Sequence, residues 1–280
     1  MDKFLHNILA IIVFLPLTAG FLLLFLPKGA KRFSQALTLL VSIIAFERAV
    51  RIFINGAPDF SWPLIQAGAL QLNLLLSARP LGTFMLLFAA GFGVLITLYS
   101  LKSKSAEKSS NVYYGSILLT IGGSAGILLS NHLLLLLIFW EIVTASLYLL
   151  IATGGKGSNF AATKSFAMIG ASDAALLLGI FLVWRLSGTF VISDIYLATT
   201  SAMPIIAFLL IITAAVTKAG AMPLHTWLPT SGEYAPTPVM ALLPAAIDKL
   251  LGIYLLVITV RQMFIIQSSV LSTILAIIGA

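Results

Sequence analysis

The chain of 280 residues is far more apolar than a soluble domain, with 60% hydrophobic residues, 9% charged residues and a mean hydropathy of +1.10. It contains no cysteine, which excludes disulfides, thiolate-held iron–sulfur clusters and cysteine nucleophiles. The net charge of +7 reports orientation in a membrane and gives no reason to expect nucleic acid binding. Three scattered histidines do not suggest a metal site, so we expect no metal or cofactor.

Apolar runs long enough to cross a hydrocarbon core of about 30 Å recur along the chain. They predict eight transmembrane helices and a ninth run that stops without a polar tail: Leu5–Leu26, Phe33–Ile54, Leu81–Leu101, Val112–Ser130, Leu133–Ile151, Phe160–Leu186, Pro204–Met222, Val239–Val260 and Phe264–Ala280. No small-residue cleavage site follows the first run, which is therefore interpreted as a retained helix and not a signal peptide. The connection Asn55–Pro80 contains Pro58, Trp62 and Pro63 and is predicted to be a partly ordered loop near the interface. No soluble domain is expected.

Basic residues in the connections give a weak orientation signal. Three connections on one side of the membrane hold Lys28, Lys31, Arg32, Lys102, Lys104, Lys108 and Lys156. The opposite side holds Lys3, Arg48, Arg51, Arg79, Arg185 and Arg261. Because basic loops tend to remain in the cytoplasm, we expect a multi-pass protein of the cell inner membrane whose amino terminus lies outside.

Lys218 is the most informative charge. It lies near the end of an otherwise uncharged run, Pro204–Met222, and prolines at 223, 229, 236 and 238 interrupt the helix just beyond it. A lysine at membrane depth needs a packed or wet environment and a partner, and irregular backbone survives there only where protein or water satisfies it. The pattern indicates an ion-handling site, with a static buried ion pair as the alternative.

Glu141 lies near the middle of the fifth run, and the eight residues before it are all apolar. We expect it to be buried. It is either a structural carboxylate that pairs with a lysine to fix helix packing, or an acid that takes up and releases protons or tunes a nearby lysine. Lys218 would gain most from such a partner, because a nearby carboxylate offsets the cost of burying an ammonium group.

Five further residues are candidates for the same site. Asp248 and Lys249 point about 100° apart on a helix, so we expect each to meet a different neighbour. Asp173 lies among small residues, where it either orients a charge or hydrogen-bonds across a helix interface. Lys164 is about a turn from the start of its helix and can snorkel to the surface. His225, in the irregular stretch, either passes protons or caps backbone groups freed by the prolines.

Several of these residues lie in motifs that resemble those of one family. The motifs are Lys218–Pro229, Ala235–Val239, Phe139–Glu141 with Ser146–Ile151, and Ala162–Phe166 with Asp173. In this order they resemble the antiporter-like subunits of respiratory complex I. The same superfamily includes the large subunits of Mrp-type sodium/proton antiporters and the membrane arms of energy-converting hydrogenases. The resemblance covers roughly residues 110–260.

The resemblance implies an all-α, polytopic, antiporter-like fold with a broken helix. Residues 1–110 would hold three amino-terminal helices, 111–262 the first repeat of five helices with its break near 218–238, and 263–280 the start of a ninth helix. The second inverted repeat would be absent from this chain. Glu141 and Lys218 would form the coupling pair of a proton half-channel, Lys249 would be the next carrier, and Asp173 would help set the electrostatics around the pair.

The chain also departs from the family pattern. Pro244 stands where complex I members often carry histidine, Gly170 stands where some members carry a basic residue, and Lys249 is about one residue from the expected lysine. The stretch Leu243–Tyr254 looks more like hydrogenase-linked or ferredoxin-linked relatives.

The resulting hypothesis is a proton- or sodium-translocating subunit, without a redox centre of its own, within a redox-driven complex. Its partners would be other membrane and peripheral subunits and the lipid bilayer. One alternative is a cation/proton antiporter subunit of Mrp type, and the other is a non-conducting scaffold.

Overall fold

The computed structural model describes residues 7–27, 30–67, 70–102, 110–267 and 269–279. Helices make up most of these residues: α1 Ile8–Leu24, α2 Lys31–Asn55, α3 Pro80–Ser100, α4 Ser110–Leu129, α5 Leu133–Ala152, α6 Ser158–Ser187, α7 Ala202–Ala219, α8 Trp227–Tyr234, α9 Thr237–Leu242, α10 Asp248–Ile258 and α11 Ser269–Gly279. The predicted helix start at Leu5 and the loop residues Lys3, Lys28, Lys104 and Lys108 lie outside the described residues.

Six spans of the described chain are long and apolar enough to cross a membrane. Five are α3, α4, α5, α6 and α7, and the sixth is Thr237–Met263, in which π-helical turns at Leu243–Ile247 and Thr259–Met263 flank α10. Helix α1 is apolar but has only 17 residues, and α2 has 25 residues but carries Glu47, Arg48 and Arg51. The predicted all-α, polytopic membrane class is confirmed.

Helix α4 lies at the centre of the bundle, and 89% of its most apolar stretch of 18 residues is buried. Small residues let α1 approach it at backbone distance. A Cβ atom on Gly20 would lie 2.7 Å from the carbonyl oxygen of Gly115, and one on Gly122 would lie 2.8 Å from the carbonyl oxygen of Val13. Since real Cβ atoms do not approach so closely, glycine at these positions is what permits the crossing.

The connection between α2 and α3 is a β-hairpin, a feature that the sequence did not indicate beyond partial order. Strands β1 (Phe60–Ala67) and β2 (Leu70–Leu76) are antiparallel, with Phe60 opposite Leu76 and an irregularity between Pro63 and Ile65. Leu76 bridges to Ser130, which ties the hairpin to the turn between α4 and α5. A second, minimal pair joins β3 (Leu197–Ala198) in parallel to β4 (Phe264–Ile265).

The predicted break after Lys218 is present. Helix α7 ends at Ala219, and Gly220 adopts a left-handed conformation with φ of 71°, which glycine reaches without the steric cost of a Cβ. A Cβ there would also clash with the Leu228 side chain. The Trp227 indole N–H donates to the Thr217 carbonyl at 3.0 Å. A side chain thus provides a hydrogen bond to a backbone carbonyl near the interruption.

Candidate proton-translocation site

Lys218, in the last turn of α7, is fully buried. Its Nζ donates a hydrogen bond to Thr144 Oγ1 of α5 at 2.9 Å and lies 3.9 Å from Asp248 Oδ1 of α10. The same ammonium group lies 4.5 Å from the centroid of the Trp140 ring. A hydroxyl, a carboxylate and an aromatic face therefore replace the water that the ammonium group gives up on burial.

Asp173 of α6 lies on the other side of Thr144. Its Oδ1 accepts a hydrogen bond from Trp140 Nε1 at 2.7 Å, and its Oδ2 accepts one from Thr144 Oγ1 at 3.1 Å. Thr144 therefore accepts from Lys218 and donates to Asp173, which a single hydroxyl can do at once. Asp173 therefore hydrogen-bonds across the interface between α5 and α6, and one of its partners, Thr144, is the residue that contacts Lys218.

Asp248 begins α10, directly after the first π-helical turn, and is fully buried. Neither of its carboxylate oxygens has a hydrogen-bond partner among the described residues. Buried carboxylates are normally both paired and hydrogen-bonded. Asp248 faces Lys218 at 3.9 Å, beyond hydrogen-bond length, so the pair is loose and has room to tighten.

Lys249 lies outside the central cluster, which consists of Trp140, Thr144, Asp173, Lys218 and Asp248. Its Nζ donates to the carbonyl oxygen of Ala219, the last residue of α7, at 3.3 Å. The prediction that Asp248 and Lys249 meet different neighbours is confirmed, because one faces the Lys218 side chain and the other contacts backbone at the break.

The expected burial of Glu141 is wrong, because its side chain is exposed on the surface of the chain. The carboxylate within 4 Å of Lys218 in the described structure is that of Asp248, and no Glu141–Lys218 ion pair is formed. The physical reason is helical geometry. Trp140 and Thr144 are four residues apart and share the face of α5 that meets Lys218, whereas Glu141 is turned about 100° from Trp140.

Lys164 and His225 lie apart from the central cluster. The Lys164 Nζ donates to Thr230 Oγ1 at 2.7 Å, and Ser165 and Ser231 share a hydrogen bond at 2.8 Å, so that α6 is tied to α8. The His225 Nδ1 is buried without a hydrogen-bond partner in the part of the chain described. The alternative in which His225 caps the broken backbone through this atom is therefore not seen.

Two residues of the central cluster, Trp140 and Thr144, were not singled out from the sequence. The available signal was their spacing of four residues, which places both on one helix face. No group of three or more metal-ligating side chains forms a metal site in the described ranges.

Comparison with known proteins identifies the family. A profile described as "NADH:quinone oxidoreductase/Mrp antiporter, TM" matches residues 130–280, a segment that contains every residue of the central cluster. The chain is 31% identical over 253 residues to a Na(+)/H(+) antiporter subunit of Alkalihalophilus pseudofirmus, an alignment that covers 86% of this chain and 31% of that protein. It is 30% identical over 294 residues to NADH-quinone oxidoreductase subunit L of Escherichia coli, with 98% and 47% covered.

Among solved structures, the Mrp complex from Dietzia sp. DQ12-45-1b superposes with a TM-score of 0.73 and 26% identity over 88% of this chain and 28% of that one. The chain thus spans less than half the length of these three relatives. The profile match covers more than half of the chain and the similarity to both curated relatives is extensive, so the chain belongs to the NADH:quinone oxidoreductase/Mrp antiporter transmembrane family.

Proposed function

We propose that this chain translocates protons as a subunit of a multi-subunit membrane complex, without carrying a redox centre itself. The observation that supports the proposal is the fully buried Lys218, which lies at a helix break and is linked to two carboxylates, one directly and one through a hydroxyl. A buried ionisable group inside a membrane protein marks an ion pathway by default, and a loose pair can change its protonation when its geometry changes.

The first step of the proposed mechanism is a proton transfer through Thr144. Lys218 Nζ–H gives its proton to Thr144 Oγ1 while the hydroxyl proton of Thr144 passes to Asp173 Oδ2, which leaves a neutral lysine and a neutral carboxylic acid. The hydrogen bonds of 2.9 Å and 3.1 Å provide this route. When Asp248 approaches Lys218, the charged lysine is favoured and the transfer is opposed.

The second step connects Lys218 with Lys249. The Lys249 ammonium group contacts the carbonyl of Ala219, the residue directly after Lys218. A movement at the end of α7 would therefore change the surroundings of both lysines. The π-helical turn before Asp248 is a place where the helix can change register, because π-helical turns are irregular and frequent at functional sites. Lys249 would be the next carrier along the path.

The proposed supply of protons enters at the α6–α8 contact and runs towards Asp173. Ser165 and Asp173 are eight residues apart on one face of α6, about 12 Å along the helix axis, with the buried Ile169 between them. Lys164, His225 and the hydroxyl pair of Ser165 and Ser231 would form the outer part of this entry. Glu141 would act from the surface of the chain, where a neighbouring subunit can cover it.

The decisive test replaces Lys218 by methionine in the complex purified with its native partners and reconstituted in vesicles. We expect Lys218→Met to abolish proton movement, whereas Lys156→Met, which removes an exposed loop lysine, should leave it unchanged. If Lys218→Met and a neutral replacement of Asp248 both transported protons at the normal rate in a fully assembled complex, the scaffold alternative would replace this proposal.

A second candidate function is cation/proton antiport, which the 31% identity to a Na(+)/H(+) antiporter subunit favours. The same vesicles separate the two functions. A proton flux that requires sodium and stops when choline replaces it would support antiport, whereas a flux that requires an electron donor and is indifferent to sodium would support the redox-driven complex.

We also propose that the chain lies in the plasma membrane with its amino terminus outside. Because the sequence has no cysteine, the variants Lys156→Cys and Tyr196→Cys each carry one cysteine that a membrane-impermeant maleimide can label. Tyr196 is exposed. In intact cells we expect label on the Tyr196→Cys variant alone. Label on the Lys156→Cys variant alone would show the opposite orientation.

A further inference from the structure

Trp140 contacts both ends of the proposed proton relay without carrying a proton in it. Its indole Nε1–H donates a hydrogen bond to Asp173 Oδ1 at 2.7 Å, and Lys218 Nζ lies 4.5 Å from the centroid of its ring. The indole nitrogen is a hydrogen-bond donor only. Trp140 thus touches the donor and the acceptor of the transfer through Thr144, and the transfer itself uses neither contact.

The side chains that make these contacts are enclosed by the chain itself. Trp140 and Lys218 have no exposed surface, and Asp173 is 3% exposed. They lie on α5, α7 and α6, and α6 packs against both of the other helices. The contacts of Trp140 therefore do not depend on what covers the outer surface of the chain.

Both contacts favour the charged form of the group that Trp140 meets. A hydrogen bond to an ionised carboxylate is about twice as strong as one between neutral groups, and the face of an indole ring attracts an ammonium group through its charge. After a proton has moved from Lys218 to Asp173, both groups are neutral and both contacts are weaker. Trp140 therefore stabilises the charged state of the relay that precedes the transfer.

The Trp140 hydrogen bond also fixes the direction of the Asp173 carboxylate. Oδ1 accepts from the indole N–H, and Oδ2 accepts from Thr144 Oγ1 at 3.1 Å. The hydrogen at Oδ2 is the one that moves in the transfer, whereas the hydrogen at Oδ1 stays on the indole nitrogen. Attachment at both oxygens restrains rotation of the carboxylate, so Oδ2 remains directed at the Thr144 hydroxyl.

We propose that Trp140 is a positioning residue of the relay, which keeps Asp173 ionised and holds its Oδ2 towards Thr144. The inference rests on the proposed function, because the relay is a step of the proposed transport. It adds a second control to that of Asp248. Trp140 of α5 and Asp248 of α10 both favour a charged Lys218, one through an aromatic face and the other through a carboxylate.

Asp173 is not the only titratable group near Trp140, so the test must follow the Asp173 proton specifically. Helix α8 meets α6 at Lys164 and Ser165, and Ser165 is about 12 Å from Asp173 along the helix axis. The charges of α8 are therefore remote from the relay. The charged groups that bear on the relay are Lys218 of α7, Asp248 and Lys249 of α10, and Glu141 of α5.

The test replaces Trp140 by benzothienylalanine, which has nearly the shape of tryptophan but carries sulfur in place of the N–H group. Trp140→Phe is a second variant that keeps an aromatic face and lacks the donor. Tyr254→Phe is the matched control, because it removes a buried hydrogen bond of 3.0 Å to a neutral group, the Leu128 carbonyl. All variants are purified as the assembled complex.

The titration of Asp173 is followed by the infrared absorption of protonated carboxyl groups. The Asp173 signal is the difference between each protein and the same protein with Asp173→Asn. Without the indole N–H, we expect Asp173 to take up its proton at a pH about one to two units higher, because a lost hydrogen bond to a charged group changes the equilibrium about 10- to 100-fold. Tyr254→Phe should leave this midpoint unchanged.

The rate of proton uptake by vesicles gives a second readout over the same pH range. In both Trp140 variants the rate should fall at acidic pH, where Asp173 is already protonated, and recover at alkaline pH. A midpoint of Asp173 that moves in neither variant, or that moves equally in Tyr254→Phe, would overturn the inference. A rate lowered by the same factor at every pH would also overturn it, because a purely structural tryptophan predicts that result.

Failure of this inference can be told from failure of the proposed function, because the infrared titration does not require transport. If the midpoint of Asp173 rises as expected and Lys218→Met transports protons normally, the proposed function alone fails. If Lys218→Met abolishes transport and the midpoint is the same with and without the indole N–H, the inference about Trp140 alone fails.

Discussion

Replacing Thr144 by valine tests the hydroxyl relay most directly. Valine has nearly the shape of threonine, so the change removes the hydroxyl and leaves the packing of α5 almost intact. Two hydrogen bonds are lost, the one from Lys218 Nζ at 2.9 Å and the one to Asp173 Oδ2 at 3.1 Å. Each involves a group that can be charged, and such a bond contributes about 1.5–3 kcal/mol.

If one such bond is made in the transition state of proton transfer, its loss slows the step by about 10- to 100-fold, since about 1.4 kcal/mol corresponds to a factor of ten. The assay is the initial rate of proton uptake by vesicles that contain the assembled complex. Thr144→Ser keeps the hydroxyl and should restore most of the rate. Thr213→Val is the matched control, because the Thr213 hydroxyl donates to the carbonyl of Leu209 in its own helix.

The relay would be refuted if Thr144→Val transported at the normal rate while the complex remained assembled. A loss shared equally by Thr144→Val and Thr144→Ser would also contradict it, because the two variants differ in the hydroxyl group. A purely structural role would lower the thermal midpoint of the complex without a change in the rate per assembled complex.

Asp248→Asn should lower the thermal midpoint of the detergent-solubilised complex, because removing one member of a buried ion pair costs about 3–5 kcal/mol. Asp248→Glu, which keeps the carboxylate, is the control. An unchanged midpoint for Asp248→Asn would show that Lys218 does not depend on this carboxylate. Gly220→Ala should destabilise the break by at least about 1 kcal/mol, because its φ of 71° is unfavourable for alanine and the added methyl clashes with Leu228. Gly155→Ala, whose Cβ would meet nothing within 4 Å, is the control in the same thermal assay, and equal midpoints for the two would contradict the argument.

The sequence predicts the fold well where one physical property decides the outcome. Apolar length located the six spans that the described structure contains, and the break after Lys218 followed from the four prolines beyond it. The hairpin was not predicted because Pro63 lies inside β1, and a proline within a run argues against a strand.

The site was predicted less completely, because pairing inside a membrane depends on which face of a helix a residue occupies. Glu141 and Asp248 are both acids in apolar helices, and composition does not separate them. The structure does: Asp248 faces Lys218, whereas Glu141 is turned away from it. Hydroxyl groups such as that of Thr144 are common in helices, so their role emerges only once two ionisable neighbours are located.

The backbone contact between α1 and α4 has a mechanical consequence. A Cβ atom on Gly20, Gly115 or Gly122 would lie within 2.9 Å of a backbone oxygen of the facing helix, so a sliding motion that brought larger residues to these positions would cause a steric clash. The end of α7 and the start of α10 are instead joined by a broken helix, a π-helical turn and a loose ion pair. The chain thus combines a closely packed helix pair, α1 and α4, with interrupted helices around Lys218. A displacement of α7 or α10 would therefore change the distance between Lys218 and Asp248, whereas the packing of α1 on α4 would resist a similar displacement.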